Sequence, residues 1–205
     1  MVQQLMLNKD ELAIWTWLVS RGISNSLSGL SQMIGDELVV SGLDVKHFPA
    51  SDAVSLLGGA EQMAVGIYLT VHGDADGHLM LIHDPKIAFD LIDSQMGQPI
   101  GSTNELGEME YSVLGEMGNI TGSFFLNALA DATNLTLTPS PPVVMVDMAG
   151  AILSIALTDI MQEQDDVLAV KATFGANEND IEGTFMILPT MDFLKVILRH
   201  AGASQ

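Results

Sequence analysis

Two stretches roughly a hundred residues apart carry the same pattern, and this repetition constrains the fold more than any other feature of the chain. Gly77-His-Leu-Met-Leu-Ile, followed by Pro85 and Phe89, matches Gly183-Thr-Phe-Met-Ile-Leu, followed by Pro189 and Phe193. Leu27, Leu30 and Met33 stand 99 residues before Leu126, Leu129 and Ala132. A period of this length is too long for a solenoid unit. It predicts one domain over residues 1–205, built from two similar halves at about 8–97 and 108–202 that pack around a pseudo-twofold axis and bury strand-rich faces together.

The local pattern fills in the elements. Leu12, Trp15, Leu18 and Val19 recur at helical spacing, a second apolar stripe follows at Leu27, Leu30 and Met33, and Gly22 is expected to break or bend the helix between them. Leu38 to Val45 reads as extended, and Ala50 to Leu57 as a short helix capped by Ser51 or Asp52. Met63 to Val71 and His78 to Ile82 flank Asp74-Ala-Asp-Gly77 as a hairpin. Asp84-Pro85 opens a helix that ends at Gly97, and Gln98 to Asn104 reads as a linker. The second half predicts the same order: a helix from about Glu108 to Asp131, an extended Leu135 to Thr138, a helix near Met148 to Ile160, then strand, turn, strand and a helix closing at Gly202.

Charge and composition remove several functions. The chain has 7 Lys and Arg against 26 Asp and Glu, a formal charge of −19, and its cations are scattered. No basic patch exists to neutralise nucleic-acid phosphates or anionic lipid head groups, so neither is an expected partner. The absence of cysteine excludes disulfides, thiolate zinc sites and a thiol nucleophile, and fits a reducing compartment. No leader-like start or long apolar span is present, and a cytoplasmic location is expected.

The segment richest in chemistry is Met109 to Asp131, MEYSVLGEMGNITGSFFLNALAD. On a helix, Val113, Met117, Ile120 and Phe124 would form a core stripe, while Ser112, Glu116 and Asn119 would line the adjacent stripe with a hydroxyl, a carboxylate and a carboxamide. Gly115, Gly118 and Gly122 each cost a helix interior roughly 1 kcal/mol relative to alanine, so a packed helix or a docked partner is expected close to that backbone. On spacing alone, an ordinary wet helix face is the simpler account of the polar trio, since polar helical faces are routine.

Ser112-x3-Glu116-x2-Asn119-x22-Pro142, within Gly115-Glu-Met-Gly-Asn-Ile and followed by Ala128-Leu-Ala-Asp, resembles the signature of the CheC, CheX and FliY family of chemotaxis phosphatases. The resemblance implies an α/β fold of α+β character: a long sheet shared by two pseudo-symmetric halves, with paired long helices presenting the active residues at the surface. It implies a phosphatase that hastens hydrolysis of the aspartyl phosphate on a CheY-type response regulator in chemotaxis or related two-component signalling. Asn119 would position the attacking water, and Glu116 would pair with a lysine of the regulator. Ser112 would support docking, and Pro142 would shape the neighbouring loop. The family needs no cofactor of its own, the magnesium being supplied by the regulator.

The first half departs from the signature. Ala13, Trp17 and Ser20 stand where the polar trio would be, and Leu43 where proline would be, so one working site is expected in the second half and none in the first. That loss sustains a rival reading, a non-enzymatic adaptor of the same family that binds a regulator, the deamidase CheD or a second copy of itself. One of the two tryptophans, Trp15 and Trp17, is expected in the core and the other partly exposed. His72-x-Asp74-x-Asp76-x-His78 has metal-ligand residue types, but alternating side chains around a tight turn diverge, and a solvated hairpin is the expectation. The acidic runs from Gln162 and from Asn177 read as solvated loops.

Overall fold

The structure is a computed structural model that describes residues 7–35, 37–161, 166–176 and 182–203; the acidic runs after Gln162 and Asn177 lie largely outside the described residues. In chain order the elements are α1 (Lys9–Ile34), β1 (Leu38–Pro49), a 3₁₀ helix (Ala50–Leu57), β2 (Met63–Gly73), β3 (Gly77–His83), α2 (Pro85–Gln95), α3 (Glu108–Thr133), β4 (Leu137–Pro139), β5 (Val143–Met148), α4 (Ala149–Ile160), β6 (Asp166–Ala176), β7 (Glu182–Leu188) and α5 (Met191–Ala203). The strands form one seven-stranded sheet in the order β1-β6-β7-β3-β2-β4, with β5 also pairing β2. Every pairing is antiparallel, which gives the mixed α/β class its α+β character.

Strand exchange ties the two stretches of chain together. β1 pairs β6, β4 and β5 pair β2, and β3 meets β7 at the centre. Side chains therefore separate by parity into two cores. Val65, Ile67, Leu69, Leu79, Leu81, Val170, Phe174 and Ile187 face α1, α2, α3 and α5. Ala64, Met80, Ile82, Ala169, Met186 and Leu188 face the 3₁₀ helix and α4. β3 is buried along its whole length because helices cover both faces, and its Gly-His-Leu-Met-Leu-Ile-His run accordingly shows no polar alternation.

α1 and α3 are the longest elements, each of 26 residues and starting 99 residues apart. Asn8 caps α1, its Oδ1 accepting from the backbone N–H groups of Asp10 and Glu11 at 3.0 Å while Glu11 Oε2 accepts from Asn8 N at 2.9 Å. The helix ends at Gly35 with φ +74°, and α3 ends at Asn134 with φ +55°, both left-handed caps. Gly22 does not break α1, contrary to the sequence expectation. A Cβ at Gly22 would stand 2.5 Å from the Phe125 ring, and one at Gly29 would stand 2.9 Å from Phe124, so these glycines admit α3 rather than bend the chain. Between them Ser26 Oγ donates to the Thr121 carbonyl at 2.9 Å. The register, Gly22 by Phe125 and Gly29 by Phe124 and Ile120, makes the pair antiparallel.

Three smaller expectations also change. Ser51 and Asp52 lie inside the 3₁₀ helix rather than capping it, because β1 continues to Pro49 and the helix starts directly at Ala50. Leu12 is exposed, leaving Trp15, Leu18 and Val19 as the buried stripe there. α5 runs to Ala203, through Gly202.

His83 closes β3 fully buried, its ring edge-on to Phe174 at 6.1 Å, and neither ring nitrogen has a hydrogen-bond partner among the described residues. Burial lowers its pKa to about 4. Since the folded value lies below the unfolded 6.5, the neutral ring's contribution is fully present above pH 6.5 and is lost as pH falls toward 4. Urea denaturation should show stability falling by about 2 kcal/mol between pH 7 and pH 5 from this residue. A His83→Phe protein should lose that part of the slope; an unchanged slope would show that His83 is not the group responsible.

Candidate functional site on α3

Local sequence holds α3 in place at its start, where the Gly107 N–H donates to Glu110 Oε2 at 2.9 Å. Its buried line is Leu114, Met117, Thr121, Phe125 and Ala128, not the stripe of Val113, Met117, Ile120 and Phe124 expected from the sequence. Phe124 is 37% exposed. The reason is that α3 is packed from two sides, by α1 and by β2, and the centre of its buried face falls one residue later than a single-sided stripe would place it. On the β2 side the glycines sit against the sheet: a Cβ at Gly118 would overlap Ile67, and one at Gly122 would come 3.1 Å from Leu69. Sheet side chains thus fill the space that those two glycines leave.

Gly115 differs. Among the described residues the nearest atom to a Cβ there is Pro142 Cγ at 4.0 Å, an ordinary contact, so none of them requires the glycine.

Ser112, Glu116 and Asn119 are all exposed. Their spacing of four and three places them along one side of α3, with Gly115 between Ser112 and Asn119. None of the three side chains has a hydrogen bond or ion pair among the described residues, which leaves all their bonding capacity to a partner or to water. From residue 87 to residue 170 the sequence contains no Lys or Arg. α3 itself can accept a cation from a partner but carries none to offer a phosphoryl group.

Pro142 lies beside this row. A Cβ at Gly118 would be 3.3 Å from Pro142 Cβ, which sets the proline against the backbone turn that carries Asn119. Its position comes from a break between β4 and β5. Pro141 and Pro142 cannot donate to the β2 ladder, and Ser140 bridges the gap: its N–H donates to the Thr70 carbonyl at 2.8 Å and its Oγ accepts from Thr70 N at 3.0 Å. Ser140 was not singled out from the sequence. Its signal was the Ser-Pro-Pro run, which marks an interrupted strand.

In the first half Ala13, Trp17 and Ser20 occupy an exposed side of α1. Trp17 is 52% exposed, with the Arg21 guanidinium 5.8 Å from its ring centre, whereas Trp15 is buried edge-on to Phe193 at 6.3 Å. None of these three residues supplies a carboxylate or a carboxamide. Leu43 sits just past the register shift between Val40 and Gly42 in β1.

The hairpin residues stay apart from this site. Asp74 Oδ2 accepts from Thr136 N at 2.7 Å, His72 Nδ1 lies 3.3 Å from Asp76 Oδ1, and His78 stacks on Tyr68. Among the described residues no group of three or more His, Asp or Glu side chains could hold a metal ion, and no helix is long and apolar enough to cross a membrane.

The sequence model of the CheC-like family matches residues 109–146, the segment that runs from Met109 through the polar row to β5. The chain is 28% identical over 202 residues to the CheY-P phosphatase CheC of Bacillus subtilis (strain 168), with 97% of each chain covered. Its fold is similar to that of Thermotoga maritima FliY, with a TM-score of 0.75 at 18% identity over 98% of this chain and 100% of that one. It is also similar to the FliM middle domain from H. pylori, with a TM-score of 0.64 at 13% identity over 95% of this chain and 99% of that one. Motif, full-length relative and fold thus all point the same way, and the chain is similar to CheC-like proteins in sequence and in fold.

Proposed function

We propose that this protein is a phosphatase for the aspartyl phosphate of a CheY-type response regulator, acting through Ser112, Glu116 and Asn119 on α3. The observation that carries the reading is the exposed polar row whose members have no hydrogen-bond or ion-pair partner among the described residues, on a helix segment without a cation. The CheY-P phosphatase named among its relatives supports the choice of substrate.

An aspartyl phosphate is a mixed anhydride and already reactive, so positioning supplies most of what a helper can add. A water attacks phosphorus in line, the bond from phosphorus to the aspartyl oxygen breaks, the regulator's carboxylate is regenerated and inorganic phosphate leaves with the water's protons. Asn119 suits the water because one carboxamide both donates and accepts without placing negative charge beside the phosphoryl oxygens. Glu116, one turn earlier, pairs with a cationic side chain of the regulator and anchors the docked surfaces. Ser112 adds a hydrogen bond to that contact, and Pro142 holds the adjoining turn of α3. The protein needs no metal of its own here, magnesium belonging to the regulator's phosphorylation site. The cytoplasm is the setting proposed, in keeping with a chain without cysteine.

The test is the lifetime of the phosphorylated form of a purified CheY-type regulator, with and without the protein. A shortened lifetime is expected, and a Glu116→Gln protein should need about tenfold more protein for the same effect, the worth of one charge-assisted contact. An unchanged lifetime with binding intact would leave an adaptor. The half-exposed Trp17 favours that second reading, since exposed tryptophan is enriched at protein contacts. CheD and a second copy of the chain are the other partners the adaptor would take.

A further inference from the structure

We infer that Gly115 is a positioning residue: it is the point at which the phosphorylated regulator closes onto the backbone of α3, and its missing side chain sets how near the reacting centre comes to Asn119. The inference rests on the phosphatase reading and adds a residue to it. Of the three glycines that interrupt this helix, Gly118 and Gly122 are explained by their own chain, because Ile67 and Leu69 occupy the space a side chain would take. Gly115 has no such neighbour among the described residues, where Pro142 Cγ, 4.0 Å from where its Cβ would be, comes nearest. It is also partly exposed, whereas Gly118 and Gly122 are buried.

Helix geometry puts this opening between Ser112, three residues before, and Asn119, four residues after. Ser112, Asn119 and Pro142 therefore bound a shallow dent in the middle of the row that is proposed to act. Asn is one methylene shorter than Glu, so a water held by Asn119 reaches a phosphorus atom only when the regulator's surface lies close to the helix backbone. A side chain at 115 would meet that surface before the carboxamide arrived. A methyl group there offsets the contact by something on the order of 1 Å, a displacement that costs up to about 100-fold when reacting atoms must align.

The substitution Gly115→Ala separates this role from a structural one, since the two predict opposite signs. With no clash among the described residues, alanine should raise the melting temperature by about 2–4 °C through helix propensity alone. The same protein should accelerate phosphate loss from a purified, phosphorylated CheY-type regulator about 10- to 100-fold less than the intact chain at equal concentration. Gly115→Gln should lose more still while remaining folded. If the intact chain binds the regulator without accelerating hydrolysis, the same substitutions should weaken binding at least tenfold. Acceleration or binding by Gly115→Ala within twofold of the intact chain would overturn the inference and leave the phosphatase or adaptor reading standing. If the intact chain neither accelerates hydrolysis nor binds, the reading beneath the inference fails, and the inference fails with it.

Discussion

Replacing Asn119 with Ala, or with the isosteric Asp, is expected to reduce the acceleration of aspartyl-phosphate hydrolysis by at least about 100-fold, the scale on which loss of a positioned hydrogen-bonding group acts in a transition state. The two changes fail for different reasons. Alanine removes both hydrogen bonds to the water. Aspartate keeps the shape but replaces the amide donor with an oxygen and adds a negative charge beside phosphoryl oxygens, on a helix stretch that already lacks any cation. Because the side chain is exposed and makes no hydrogen bond among the described residues, the melting temperature should stay within about 2 °C of the parent, the shift corresponding to a surface change of about 0.5 kcal/mol. Binding to the phosphorylated regulator should survive in the Ala protein, since Glu116 and Ser112 remain. Loss of binding and turnover together would assign Asn119 to docking instead.

A Gly73→Ala protein is expected to lose about 4 kcal/mol of stability, which lowers the melting temperature of a chain this long by roughly 10 °C. Gly73 ends β2 with φ +127°, a conformation that L-residues avoid, and a Cβ there would overlap the Thr136 carbonyl oxygen. That oxygen already accepts from Asp74 N at 2.9 Å, while Asp74 Oδ2 accepts from Thr136 N at 2.7 Å. Alanine must therefore push apart two backbones that hold the β2–β3 turn to the segment entering β4. Thermal unfolding checks the value, and a shift smaller than about 3 °C would show that the turn relaxes cheaply.

Where the determinants are local, the sequence foretold the structure well. Asp84 accepts from Lys86 N as the cap of α2, Gly97 ends that stretch at φ +65°, and the 63–83 hairpin turns at Asp74 to Asp76. Each is dictated by neighbours a few residues away. Long-range pairing was not legible. Nothing in Leu38 to Pro49 says that its ladder partner is Asp166 to Ala176 rather than the adjacent β2, because β-pairing depends on the whole sheet's burial. Gly22 read as a breaker because its reason, the Phe125 ring, lies a hundred residues away.

The α3 face shows the same division. Four-and-three spacing sufficed to align Ser112, Glu116 and Asn119, since helix geometry alone relates them. The buried phase of α3 was misjudged because two elements cover it, and periodicity describes one covered side. Likewise the sequence treats Gly115, Gly118 and Gly122 alike. Only the placement of Ile67, Leu69 and Pro142 separates the two glycines that the sheet fills from the one left open.

The most direct measurement compares the rate of phosphate loss from a phosphorylated CheY-type regulator in the presence of the intact chain, of Asn119→Ala, and of Ser20→Ala, which alters the corresponding position on α1. The expected result is full acceleration by the intact chain and by Ser20→Ala, and none by Asn119→Ala. Undiminished acceleration by Asn119→Ala would contradict a single working site on α3.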